Sequence, residues 1–204
     1  MKRTKEEALK TRQIILQSAL DLFYQKGYSK TTFDEIASRI ELTKGAVYWH
    51  FKNKPDLVAA LINDYIAKKN QFLKQKDLAL NQFKDIEAYF LATADFILGD
   101  ENALKLAFFL SLQMEWSETI ITKVMEKIGQ NKKFIFLYLK DSLVLMQKNG
   151  EIREDIDTDI LSSLIINLWT GNLEAYLSKR CSVDLKVMIK KSFDLLFNGL
   201  KGKE

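Results

Sequence analysis

Lys44, Gly45 and Ala46 follow directly behind Thr43, and Tyr48, His50 and Lys54 come within the next few positions. These residue types do not assemble a reactive centre; they offer hydrogen-bond donors and room to approach a partner. A lysine at this point can donate to guanine O6 or N7, and the Ala46 methyl can lie against a thymine methyl. Gly45 admits a close backbone approach. A glycine there costs about 1 kcal/mol of helix stability relative to alanine, so closeness is a reasonable motive, against the alternative of a small residue tolerated on a solvated face. The Tyr48 hydroxyl, His50 imidazole and Lys54 ammonium suit phosphate oxygens, and Thr31 and Thr32 can add hydroxyls. His50 is the chain's single histidine, and its phosphate role rests on its neighbours.

Two short helices must position these groups. Thr32 and Glu35 have the spacing of a capping box, which predicts a helix from Phe33 to about Ile40 with Ile36, Ala37 and Ile40 on one face. Thr43 caps a second helix reaching about Phe51, with Val47 and Phe51 inward. Asn53 and Asp56 start a third, with the lone proline, Pro55, in its first turn, where a missing N–H costs little. Two such helices joined by about three residues form a helix-turn-helix, which lays its second helix in the DNA major groove and aims that helix's first turn at base edges.

The remaining chain reads as further helices. The first is predicted over 4–26 and stopped by Gly27; the fourth, over 54–76, is long enough to connect two cores. Others follow at 83–98, 101–115, 118–148, 157–179 and 184–199, with Gly129 able to kink or split the third of these. The fold class is all-α: an N-terminal helix-turn-helix domain over 1–60, its motif at about 32–51, and a second helical domain over 61–204.

Of 204 residues, 47% are hydrophobic and 28% charged, ordinary proportions for a globular chain. Residues 1–60 carry 11 Lys and Arg against 7 Asp and Glu, and residues 61–204 carry 20 against 20, so the whole net charge of +4 sits with the helix-turn-helix. A localised basic surface fits a nucleic-acid partner, although such a surplus also occurs on ordinary solvated helices. Cys181 is the single cysteine, which excludes an internal disulfide framework and fits a reducing compartment. The start of the chain lacks the apolar run of a signal peptide, and the longest apolar runs fall short of a membrane span. A cytoplasmic location without membrane attachment is expected. One histidine and one cysteine build no triad or metal cluster, and no glycine loop cradles a phosphate. The expectation is a protein that is not an enzyme, with no metal and no cofactor.

The stretch Thr11–Leu61 resembles the DNA-binding domain of the TetR family of bacterial one-component regulators. TRQIILQSALDLF, KGYSKTTFDEIA and LTKGAVYWHFKNKPDL each match in order and spacing, and EALKTRQ and KGAVYWHFKNK are nearest the acriflavine-resistance repressor branch. The resemblance covers about fifty residues closely and the remainder weakly. It implies base contacts from Thr43, Lys44, Gly45 and Ala46, and backbone contacts from Thr32, Tyr48, His50 and Lys54. It also exposes a departure: where the family has a glycine in the turn, this chain has Glu41. A positive φ there would cost a non-glycine residue roughly 1–2 kcal/mol; the alternative is a shifted turn.

For the second half the resemblance implies an effector pocket and a homodimer in which the last two helices of each chain form a four-helix bundle. Ile160, Leu164 and Leu168 on one helix, and Leu185, Met188, Ile189, Leu195 and Leu196 on the other, can supply its apolar faces, as they can an intrachain core. Pocket candidates are the aromatic and polar residues within apolar stretches: Phe90, Phe109, Gln113, Trp116, Phe134, Tyr138, Asn167 and Trp169. Glu115 beside Trp116 can favour a cationic ligand by charge and cation–π attraction, or serve as a solvated helix-end acid. The reading is a regulator, a repressor released by a small apolar or amphipathic effector, that binds double-stranded operator DNA and controls a multidrug efflux or transport operon. Its rivals are a helical ligand-binding or interaction protein without DNA activity and an enzyme with an unrecognised helical site.

Overall fold

The structure, a computed structural model, describes residues 5–78, 80–128 and 135–200, without the side chains of 135–138. Every regular element among them is helical: α1 (Lys5–Lys30), α2 (Phe33–Arg39), α3 (Lys44–His50), α4 (Lys54–Lys74), α5 (Phe83–Gly99), α6 (Glu101–Phe108), a π-helical turn (Phe109–Gln113), α7 (Glu118–Ile128), α8 (Ile135–Lys148), α9 (Thr158–Leu177) and α10 (Leu185–Leu200). No described helix is long and apolar enough to cross a membrane.

The chain divides into two compact units that do not follow chain order. One takes Met1–Lys68 and Asp100–Gln130, the other Lys69–Gly99 and Asn131–Glu204. The division differs from the simple cut after residue 60, because α6, the π-turn and α7 pack with the helices that carry the helix-turn-helix. The reason lies in apolar side chains: Leu106, Phe109, Met114, Val124 and Ile128 share one core with Ile15, Ala19, Phe23, Ile36, Val47 and Leu57.

Within the first unit α1 is interrupted at Gly27, which adopts φ 83°, ψ 177°. That backbone state is open essentially to glycine alone, and it turns the chain so that Tyr28 packs back on Phe23, ring centroids 6.0 Å apart. The Thr31 hydroxyl then donates to the Gly27 carbonyl at 2.9 Å, closing the bend. At α2 the capping box forms: the Glu35 N–H donates to the Thr32 hydroxyl at 3.3 Å, and the Thr32 N–H donates to the Glu35 carboxylate at 3.0 Å.

The turn between α2 and α3 answers the question posed by Glu41. Its φ is +55°, the Leu42 N–H donates to the Ala37 carbonyl at 2.9 Å, and the Glu41 N–H to the Ser38 carbonyl at 3.3 Å. These two bonds are the Schellman arrangement, which requires a left-handed residue just past the helix end and usually finds glycine there. The turn has not shifted; Glu41 accepts the strained conformation.

The predicted helix over 101–115 ends earlier, because the chain widens into the π-turn after Phe108. The Trp116 indole N–H donates to the Leu110 carbonyl at 3.2 Å, satisfying a carbonyl that the wider turn leaves free. The long helix expected over 118–148 is described as α7 and α8; Gly129 lies outside the described residues.

The second unit is held by rings. Phe90 meets Trp169 at 5.2 Å and Phe193 at 5.4 Å, joining α5 to α9 and α10. Phe83 packs on Phe197 at 4.4 Å. The Lys186 ammonium reaches Asp95 at 2.7 Å and Lys140 reaches Asp159 at 2.6 Å.

Candidate nucleic-acid interface

The second helix of the helix-turn-helix, α3, is one short segment with a single inward anchor. Val47 is fully buried, the Phe51 N–H donates to the Val47 carbonyl at 2.9 Å, and Phe51 is itself buried. At the other end the Thr43 hydroxyl accepts the Ala46 N–H at 3.2 Å. With both ends fixed, Lys44 and Gly45 are left exposed on the first turn and Ala46 partly so.

Gly45 has no internal reason to be glycine. A Cβ built there meets nothing nearer than the Thr43 hydroxyl at 3.8 Å, an ordinary contact, and its φ is not positive. The helix-stability cost of glycine is therefore met without a return inside the chain, which is what a position reserved for a closely approaching partner looks like.

The remaining expected contacts differ in how free they are. Tyr48 is 49% exposed, its ring resting on Phe33 at 4.8 Å, so the hydroxyl is carried on a fixed ring. Thr32 is exposed, although its hydroxyl also donates to the Glu35 carboxylate at 2.9 Å. Hydrogen bonds from the Lys26 ammonium, and then from Thr32, hold that carboxyl below the usual glutamate range. His50 is half-buried, with Trp49 edge-on to its ring at 4.5 Å.

Lys54 has structural duties as well. Its ammonium donates to the Tyr28 carbonyl at 2.7 Å and the Ser29 carbonyl at 3.3 Å, and lies 4.3 Å from the Tyr28 ring centroid. Burial lowers its pKa, opposed by the nearby Glu115 charge. Burial, and then Glu115, raise that of Tyr28.

Thr31 requires a correction. It was expected among the phosphate contacts, but it is 0% exposed and its hydroxyl is committed to Gly27. A buried hydroxyl offers a phosphate no surface, and its place is in the bend after α1.

Two residues at this face escaped the sequence reading. Trp49 is 71% exposed, more than any other aromatic ring among the described residues; its position outside the Val47–Phe51 inward pair was the signal. Asp34, in the first turn of α2, pairs with the Lys44 ammonium at 2.6 Å. Nothing in the sequence aligns positions 34 and 44, because the turn between the helices sets their approach.

The residues expected to line a pocket are drawn from both units. Phe109, Gln113, Glu115 and Trp116 belong to the first unit, and Phe90, Asn167 and Trp169 to the second. Phe90 and Trp169 touch. Phe109 is fully buried against Phe23, and Glu115 accepts the Ser29 hydroxyl at 2.6 Å. Phe134 and the Tyr138 side chain lie outside the described residues.

The residues expected at a dimer interface sort by burial. Ile160, Leu164 and Leu195 are 69%, 48% and 77% exposed, and Leu168, Met188 and Leu196 are half-buried. Leu185 and Ile189 are 0% exposed, so they are intrachain core and leave the interface set. Val187, 47% exposed, extends the open apolar face of α10 instead.

Comparison with known proteins agrees with this geometry. The family model for bacterial regulatory proteins of the tetR family matches residues 15–61. Over 188 residues, 90% of this chain and 84% of the relative, the chain is 28% identical to the probable acrEF/envCD operon repressor of Escherichia coli K12. It is 52% identical over 60 residues, 29% of this chain and 28% of the relative, to the transcriptional regulator AcrR of Shigella flexneri. Among solved structures it resembles NalD, the secondary repressor of the MexAB-OprM multidrug efflux pump in Pseudomonas aeruginosa. The TM-score there is 0.79 at 24% identity, over 98% of this chain and 100% of that one. Helix-turn-helix and relatives converge: residues 15–61 form a DNA-binding domain of the tetR family of bacterial regulatory proteins, in a chain similar to the acriflavine-resistance repressors.

Proposed function

We propose that this protein is a homodimeric repressor of an efflux or transport operon, released from its operator by a small apolar or amphipathic effector, and not an enzyme. The observation that carries the DNA-reading part is Gly45, a glycine with no internal cause at the exposed start of the reading helix. Thr43, Lys44, Gly45 and Ala46 meet base edges; Thr32, Tyr48, His50 and Lys54 hold phosphates. The operator target is argued from relatives that are themselves repressors of such operons.

Dimerisation rests on the open apolar faces of α9, with Ile160 and Leu164, and of α10, with Val187 and Leu195. Exposed stripes of this kind mark association surfaces. Placing two reading helices one DNA turn apart matches a near-palindromic operator. For the effector, the Phe90–Trp169 pair supplies the apolar wall that such a ligand needs. Release follows from linkage: the effector binds the form unable to hold DNA more tightly than the form that holds it.

A fluorescence-anisotropy titration on the DNA flanking the gene, across a salt series and with a panel of small amphipathic compounds, tests the reading. Salt-dependent preference for that DNA over random duplex, relieved by one of the compounds, is expected. Equal affinity for both duplexes at every salt concentration would leave a ligand-binding helical protein as the better description.

A further inference from the structure

Lys44 and Asp34 make an ion pair in an unusual place. The Nζ–Oδ2 distance is 2.6 Å, and the two side chains are 52% and 62% exposed. An anion therefore sits within hydrogen-bond reach of the ammonium assigned to base reading. Exposed pairs of this kind add little to stability, and the start of α2 is already closed by the Thr32–Glu35 capping box. A carboxylate on a DNA-facing surface also works against phosphate attraction. Its position needs another reason.

The major-groove edge of a G·C pair supplies one. Guanine shows two adjacent acceptors, N7 and O6, beside the N4 amino donor of cytosine. An ammonium has three donors and a carboxylate accepts only. Lys44 can keep one donor on Asp34 and give the others to guanine, while a carboxylate oxygen accepts from cytosine. We propose that Asp34 is a specificity-determining residue, and that Lys44 and Asp34 together read one G·C pair in each operator half-site, Lys44 on guanine and Asp34 on cytosine. An A·T pair places its donor between two acceptors, so the ammonium finds no adjacent pair of acceptors there. The Asp34 hydrogen bond also raises the Lys44 pKa, keeping the donor charged. The inference rests on the DNA-binding reading above.

Selection of duplexes from a random-sequence pool by the full-length wild type, D34A and D34N tests it. Affinities are then measured for the selected duplex with each base pair changed in turn. The wild type should require G·C at one position per half-site. In D34A the preference for G·C over A·T at that position should fall about tenfold, with all other positions unchanged. D34N, whose amide suits adenine, should tolerate A·T there, and unfolding midpoints near that of the wild type establish that both variants fold. An unchanged base profile, with affinity for selected and random DNA rising by one factor, makes Asp34 a repulsive charge and overturns the proposal. Flattening of the profile at every position overturns it too. A wild type that selects no sequence removes the DNA-binding reading itself, a failure distinct from either result in the variants.

Discussion

The ring of Phe109 lies flat on the ring of Phe23, centroids 4.6 Å apart and planes 8° from parallel. Phe109 opens the π-turn, and Phe23 is in the last full turn of α1 before Gly27 bends the chain. The stack ties a segment 86 residues downstream to the helix that supports the helix-turn-helix, which is why the first unit draws on two stretches of chain. Both rings are 0% exposed. Phe109→Ala should therefore cost about 3–5 kcal/mol, read as a lower urea midpoint. A ligand contact without a core role would instead leave the midpoint in place while changing the response to effector.

Glu41 offers a gain. Its φ of +55° costs a side chain that glycine does not carry, while glycine adds some entropy to the unfolded chain. Glu41→Gly should stabilise the protein by roughly 1 kcal/mol, raising the thermal midpoint. Glu41→Ala, which keeps the Cβ, should give no such rise.

Tyr48 and Lys54 were assigned the same task by sequence, and the structure separates them. Tyr48→Phe removes an exposed hydroxyl and keeps the ring on Phe33. It should weaken operator and random DNA alike by about fivefold, the net worth of one hydrogen bond. Lys54→Ala also removes the bonds to the Tyr28 and Ser29 carbonyls, so its unfolding midpoint should fall together with DNA affinity. Calorimetry beside anisotropy distinguishes the two variants.

Glu87 on α5 carries a pH dependence. Burial, and then the Asp194 charge, raise its pKa, with Lys190 and Lys84 opposing. The folded protein thus holds this proton more tightly than the unfolded chain does, so Glu87 costs stability above its folded pKa. That cost disappears as pH falls through the folded pKa toward the unfolded value. Glu87→Gln should raise the thermal midpoint at neutral pH and lose its advantage in acid. An equal gain at both pH values would assign the effect to packing.

The local elements were legible because their signals are local. Thr32 with Glu35 and Thr43 with Ala46 are caps within one helical turn, and the predicted starts of α2 and α3 agree with the structure to the residue. The π-turn was not legible. Nothing in Phe109–Gln113 announces a wider helix, which here accompanies the stacking of Phe109 on α1.

The sequence by itself determined an all-helical chain and a helix-turn-helix with its two caps, and it left the turn at Glu41 open between a left-handed residue and a shifted register. Each depends on residues a few positions apart, where spacing and geometry are the same thing. Tertiary structure decided the rest. It buried Thr31 under the bend at Gly27, and it placed Leu185 and Ile189 inside while leaving Leu195 outside. It gave Phe109 to the first core, and brought Asp34 to Lys44. Helical periodicity says which residues share a face; what covers that face is settled when distant segments pack.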